Sequence, residues 1–333
     1  MIEFRRDYLL FLGDVPMQLD AKTATGIAHW RPEWCVGQRR LPGCGADTGL
    51  PDMTVEAASR AGARTLVIGV APLGGRFPEA WVAEAVAALE GGLDIASGLH
   101  SRLAAIPELA AAAEAAGRRI YDIRHPDQDF ACGTGDKRPG KRLLTVGTDT
   151  CVGKMFAALA LAREMTGRGL KVDFRATGQT GIFIAGGGVS VDAVISDFVS
   201  GATEALAPAG DPDHWDVVEG QGSLFHPSYA GVSLGLLHGA QPDALVLCHE
   251  AGRTGIDGMA HRPLPSLEDC MDLNLRTARL TNPDVRFVGV SLNTRNLDPA
   301  AAEAVLAETS ARLGLPCADP VRTGVSAIVD ALV

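Results

Sequence analysis

The run Gly147-Thr148-Asp149-Thr150-Cys151-Val152-Gly153-Lys154-Met155 lies between an apolar segment, Arg142 to Val146, and an amphipathic one, Lys154 to Arg168. A strand, such a loop and a helix in succession can wrap an anion. The glycines let the backbone curl, the free N–H groups at the helix start point at the ligand, and the lysine adds a mobile positive charge. Gly147, Thr148, Asp149, Thr150, Gly153, Lys154 and Met155 are therefore the expected cofactor-binding residues. Five residues rather than four separate the glycines, and Met155 stands where a magnesium-binding loop carries Ser or Thr. A thioether does not ligate magnesium. The loop is suited to a phosphate-bearing molecule that only needs to be held.

Four further polar segments each follow an apolar run: Thr177 to Thr180, Glu219 to Ser223, His249 to Arg253 and Asn293 to Asn296. In an open parallel sheet the carboxyl ends of the strands form the ligand crevice, so five loops are expected on one rim. Glu219, His226 and His249 are the candidate general bases there. A histidine, titrating at ~6.5, is better poised than Glu219, which would need burial to rise from ~4.3, and His226 is preferred because it follows the Gly220-Gln221-Gly222-Ser223 run on a flexible loop. His249, ending a buried strand, reads as a structural histidine. Arg253 and Arg295 suit a substrate carboxylate, which a guanidinium grips through two parallel hydrogen bonds. Arg175 could serve either a carboxylate or a phosphate. Gln179, Gln221 and Ser223 are uncharged donors for an oxyanion or for substrate positioning. Cys151 and Cys248 read as packing residues rather than nucleophiles.

These loops need elements to position them. Strand-like and helix-like runs alternate along nearly all 333 residues, which argues for an α/β fold with parallel sheets. Strands are expected at Tyr8 to Leu12, Arg64 to Val70, Leu93 to Ala96 and Arg119 to Ile123, then at Arg142 to Val146, Val172 to Ala176, Asp216 to Glu219, Ala244 to His249, Arg286 to Ser291 and Pro316 to Ala318. Long helices are expected between them, one of them over Val191 to Leu206. The turn formers and charges of Pro126 to Arg142 mark a boundary between two domains. In the first domain Gly74-Gly75 and Arg76 either complete a pocket or turn the chain.

Composition bounds the partners. With 47% hydrophobic and 21% charged residues, disorder is excluded as the dominant state. The net charge is −10 and no block of five basic residues occurs, so no nucleic-acid partner is expected. The longest apolar runs fall short of the ~18–20 residues that cross a bilayer, so no membrane partner is expected either. Arg5 and Arg6 precede Tyr8 to Leu12, yet no small-residue cleavage site follows, and no signal peptide is read. Seven cysteines without a C-x-x-C pair suggest neither a disulfide framework nor a zinc site, and point to a cytoplasmic protein without a bound metal. A homo-oligomer is left open.

The segment Gly147 to Lys154 resembles the ATP-binding loop of dethiobiotin synthetase, Gly-Thr-Asp-Thr-x-Val-Gly-Lys-Thr. Val217-Val218-Glu219-Gly220 resembles that family's Val-Glu-Gly, whose Glu is a magnesium ligand; the resemblance breaks at Met155. A fuller one covers nearly the whole chain. It rests on Thr177-Gly178-Gln179-Thr180-Gly181-Ile182, on Glu219-Gly220-Gln221-Gly222-Ser223-Leu224-Phe225-His226-Pro227 and on Leu247-Cys248-His249-Glu250. These are similar to a bacterial and archaeal family described as a domain of unknown function, some members of which are D-glutamate N-acetyltransferases using acetyl-CoA. The resemblance implies a Rossmann-like N-terminal domain, residues 1–137, and a P-loop C-terminal domain, residues 138–333. It also implies transfer of acetyl from acetyl-CoA to the amine of D-glutamate, in D-amino-acid catabolism, with Glu219, His226 and Gln221 as catalytic candidates. The alternatives are an ATP- and magnesium-dependent ligase or kinase, and a nucleotide-sensing protein without chemistry.

Overall fold

Runs that are apolar without alternation become strands buried on both faces, as parallel sheets require. Tyr8-Leu9-Leu10-Phe11-Leu12-Gly13 is buried at all six positions, and Arg142 to Gly147 at all six of its own. The computed structural model describes residues 4–70, 75–125 and 128–333, so Gly74 lies outside the described residues. The chain forms two compact units, one of residues 1–128 and 178–193, the other of 129–177 and 194–333.

The first unit runs β1 (Tyr8–Gly13), α1 (Lys22–Trp30), β2 (Cys35–Arg40), α2 (Val55–Arg60), β3 (Thr65–Ile68), α3 (Val82–Glu90), β4 (Asp94–Ser97), α4 (Pro107–Ala116) and β5 (Ile120–Asp122). Its parallel sheet has the order β2-β1-β3-β4-β5. This is a doubly wound arrangement whose order reverses between β1 and β3.

The second unit continues with β6 (Lys141–Gly147), α5 (Lys154–Gly167) and β7 (Lys171–Arg175). Next in sequence comes α6 (Gln179–Ala185), which belongs to the first unit, and then α7 (Val199–Leu206), β8 (His214–Val218), α8 (Ala230–Ala240) and β9 (Ala244–Glu250). A short antiparallel hairpin, β10 (Gly255–Ile256) and β11 (Met259–Pro263), precedes α9 (Leu267–Ala278), β12 (Arg286–Asn293), α10 (Pro299–Leu313), β13 (Cys317–Ala318) and α11 (Ser326–Asp330). The six parallel strands are ordered β13-β12-β9-β6-β8-β7, which puts β6 and its loop in the middle of the sheet. Leu144, Val146, Leu245, Leu247, Val290 and Leu292 form one face of the core, covered by α8 and α9.

Two expectations need correcting. The units divide at Gln128/Asp129 rather than at 137/138, because the turn-rich stretch is tied to the second unit. The amide of Thr134 donates to Glu204 of α7, and Arg138 donates to the carbonyls of Ala207 and Gly239. The helix expected over Val191 to Leu206 begins only at Val199, since residues 178–193 depart into the first unit. There the hydroxyl of Tyr8 donates to the carbonyl of Phe183, Arg31 donates to that of Ile184, and Phe183 and Ile184 are fully buried. Apolar burial draws this segment away from β7. Among the described residues no helix is long and apolar enough to cross a membrane.

Candidate functional site

The loop after β6 turns at Gly153, whose φ of 105° lies in the left-handed region that glycine tolerates, and α5 starts at Lys154. Among the described residues no acceptor lies on the amides of Cys151, Val152 or Gly153. These N–H groups at a helix start can receive a phosphate. Lys154 is buried and its Nζ donates to the carbonyl of Asp149 at 2.7 Å. Burial pushes the Lys154 amine below its usual value of 10.5, and a phosphate anion here would restore its charge.

The side chains of the loop are held from within. Thr148 Oγ1 lies 2.9 Å from His249 Nδ1, and Thr150 donates to Asp257 at 2.9 Å. The fully buried Asp149 accepts from Arg253 Nη1 at 2.9 Å and from the amide of Asp257 at 2.7 Å. Arg253 also bonds the carbonyl of Thr150 at 2.9 Å and, through Nε at 2.9 Å and Nη2, the carboxylate of Glu250. Glu250 takes Arg295 at 2.8 Å and Asn296 at 3.1 Å on its other oxygen. An alternating chain of charges, Asp149–Arg253–Glu250–Arg295, thus links the ends of β6, β9 and β12.

The loop after β8 approaches β6 closely: a Cβ on Gly220 would lie 1.7 Å from the carbonyl oxygen of Thr145. Glu219 is buried and accepts the amide of Thr177 at 3.0 Å, while its main-chain carbonyl accepts the Thr177 hydroxyl at 2.6 Å. Gln221 Nε2 donates to the same hydroxyl at 3.1 Å. Ser223 donates to the carbonyl of Thr148 at 3.1 Å and accepts the amide of Phe225, so its one hydroxyl hydrogen is used in joining two loops. Gly220, Gln221 and Ser223, with Gly147, Thr145 and Asn274, line a cavity beside the phosphate loop.

Several sequence expectations are altered. His226 is buried, its Nδ1 accepts the amide of Ser228 at 3.2 Å, and its Nε2 faces the carbonyl of Asp257 at 3.1 Å. These partners require the neutral ring with the proton on Nε2, leaving no lone pair for a substrate. Arg175 bonds Asp216 at 2.6 Å and Asp173 at 2.9 Å, so its guanidinium is held by the Asp173–His214–Asp216 cluster rather than facing the rim. Gln179 belongs to the first unit, where it lies against Gly98. Arg253 is committed to Asp149 and Glu250. Arg295, 58% exposed, shares Glu250 but keeps an open edge. The Cys248 thiol is fully buried and pushed up to about 12 by that burial, which suits packing.

Asp257 went unremarked in the sequence, although it joins Asp149, Thr150 and His226. Its signal is the Asp257-Gly258 pair between Ile256 and Met259, a two-residue hairpin turn. A magnesium–ATP site does not fit these residues. Residue 155 carries no hydroxyl, and the Asp149 carboxylate is taken by Arg253.

Comparison with known proteins adds the following. A family model described as the P-loop domain of a domain of unknown function, DUF1611, matches residues 129–329, and its Rossmann-like N-terminal companion matches residues 37–126. A protein of Tritonibacter scottomollicae named D-glutamate N-acetyltransferase is 55% identical over 98% of this chain and 98% of its own length. One of Pseudoalteromonas sp. with the same name is 48% identical over 98% of this chain and 99% of its own. The crystal structure of a DUF1611 family protein from Anabaena variabilis shares the fold with a TM-score of 0.87 at 36% identity, covering 98% of this chain and 99% of that one.

Proposed function

This chain belongs to the DUF1611 family, and on that premise we propose that it transfers the acetyl group of acetyl-CoA to the amino group of D-glutamate, as a step in D-glutamate breakdown. The observation that carries the reading is full-length identity of 48–55% to two relatives named for that activity. The phosphate loop supports it. Coenzyme A bears a pyrophosphate and a 3′-phosphate, which the amides of Cys151 to Gly153 and the Lys154 amine can hold without cleaving a phosphorus bond. Met155 is then no defect, because acyl transfer requires no magnesium.

In the reaction a C–N bond forms, the C–S bond breaks, and a thiol leaves. The protein must bind two substrate carboxylates, stabilise the tetrahedral oxyanion and accept a proton. Arg295 keeps an open edge on this rim, and we assign it to a substrate carboxylate. Gln221, half-buried in the loop after β8, lines the cavity beside the phosphate loop, and its amide suits the oxyanion. Glu219 holds the ends of β7 and β8 together and so keeps that loop in place.

The test is a thiol-release screen with acetyl-CoA over D- and L-amino acids. Free thiol is expected with D-glutamate far above its L-enantiomer. No thiol with any amino acid, together with substrate-dependent ADP release from ATP and Mg²⁺, would move the assignment to a ligase or kinase. Binding without turnover in either assay would leave a nucleotide-sensing module.

A further inference from the structure

We propose that His249 is the general base of this transfer, its Nε2 accepting the proton that the substrate amine gives up. The inference rests on the N-acetyltransferase reading and deepens it. Of the three candidate bases read from the sequence, His226 has both ring nitrogens engaged by the chain. Glu219 is buried and latches Thr177 through both its carboxylate and its carbonyl. His249 differs from both. It is the penultimate residue of β9, the strand beside β6, and its Nδ1 lies 2.9 Å from the Thr148 hydroxyl inside the phosphate loop. The ring is half-buried, and among the described residues Nε2 has no hydrogen-bond partner.

With Nδ1–H donating to Thr148, Nε2 carries a free lone pair at the lip of the loop. This is the base-and-orienter arrangement of general-base catalysis, with Thr148 as the positioning residue. The surroundings keep the ring neutral. Burial, and after it the Arg253 guanidinium, push His249 below 6.5, Glu250 opposes them, and Arg312 of α10 acts with Arg253. On β12 its register partner is the uncharged Leu292. A neutral imidazole near pH 7 is ready to take a proton. The ammonium first gives one proton to bulk water, and as the free amine nitrogen bonds to the acetyl carbon its second proton passes to Nε2. The electron pair of the breaking C–S bond goes to sulfur, and the imidazolium returns the proton to give the free thiol.

Thiol release is measured against pH for the wild type and for His249→Gln, with acetyl-CoA binding by calorimetry and melting temperature as controls of folding. The wild-type kcat/KM should break on the acid side below 6.5. His249→Gln should lose about 10²–10⁴-fold in kcat, the usual contribution of a positioned base, and lose the acid break. Its KM for acetyl-CoA should stay within about threefold of wild type. Added imidazole should restore part of the rate in His249→Ala, which a purely structural role would not allow. If His249→Gln does not fold, His249→Asn and the wild-type pH profile carry the same comparison. A folded variant with kcat within about threefold and an unmoved acid break overturns this inference alone. A wild type that releases no thiol with D-glutamate overturns the transferase reading and this inference with it.

Discussion

Replacing Arg253 by alanine removes the cation that stands between Asp149 and Glu250, whose side chains are 0% and 6% exposed. Asp149 would lose its cationic partner and Glu250 one of its two, where water cannot replace the guanidinium. Breaking a buried pair by deleting one partner costs about 3–5 kcal/mol. At ~2–4 °C per kcal/mol for a domain of about 150–250 residues, the melting transition should fall by roughly 6–20 °C, read by calorimetry or circular dichroism. Arg253→Lys should recover only part of this, since a point charge cannot span Asp149, the Thr150 carbonyl and Glu250 together. Arg253→Ala combined with Asp149→Asn should be less damaging than the sum of the two, because the second change removes a charge that the first had stranded. The clamp reading fails if Arg253→Ala melts within ~2 °C of wild type while KM for D-glutamate rises about tenfold or more. Arg253 would then be a substrate ligand.

Lys154→Ala should weaken acetyl-CoA binding by ~1.5–3 kcal/mol, the range for a hydrogen bond to a charged group, or about 10- to 150-fold in Kd. Unchanged affinity in calorimetry would remove the loop from coenzyme binding. Because burial lowers the Lys154 amine and a bound anion raises it again, coenzyme binding should take up protons between that lowered value and 10.5. Titrations in buffers of different ionisation enthalpy read this directly, and an absence of uptake across that window contradicts it. Asp319 is raised by burial but lowered more by its bonds from Thr294, Val321 and Arg322, so its carboxyl lies below 3.8. The stability it adds is present above 3.8 and lost as pH falls through the lowered value. Asp319→Asn should therefore be weaker by ~1.5–3 kcal/mol in urea unfolding near neutrality, with the deficit shrinking in acid; a constant deficit would contradict the assignment.

The central strands and the phosphate loop were legible because their signals are local: a buried strand is an unbroken apolar run, and the loop is a contiguous motif. Elements whose reasons are tertiary were not. α8 carries Gly231, Gly235 and Gly239, poor helix formers in isolation. In the fold a Cβ on Gly239 would lie 2.3 Å from the Ser200 carbonyl oxygen, and one on Gly235 2.8 Å from Val199, so α7 needs this small-residue face. β2, Cys-Val-Gly-Gln-Arg-Arg, is an edge strand with no apolar run to announce it. At the site the rim residue types were readable, but their pairings were not. Arg253 and Arg295 look alike in sequence. Only the sheet order, which sets β9 between β6 and β12, shows that one is enclosed by two acids and the other is open.

The excursion of residues 178–193 bears on how this polypeptide is made and inherited. A gene cut at residue 137 would deny the Tyr8 hydroxyl and the Arg31 guanidinium their acceptors in α6. The N-terminal half therefore cannot be shuffled onto another partner as a free-standing cassette. During synthesis it cannot finish folding until about 65 residues beyond its own apparent end have left the ribosome, since 178–193 follow the break at 128.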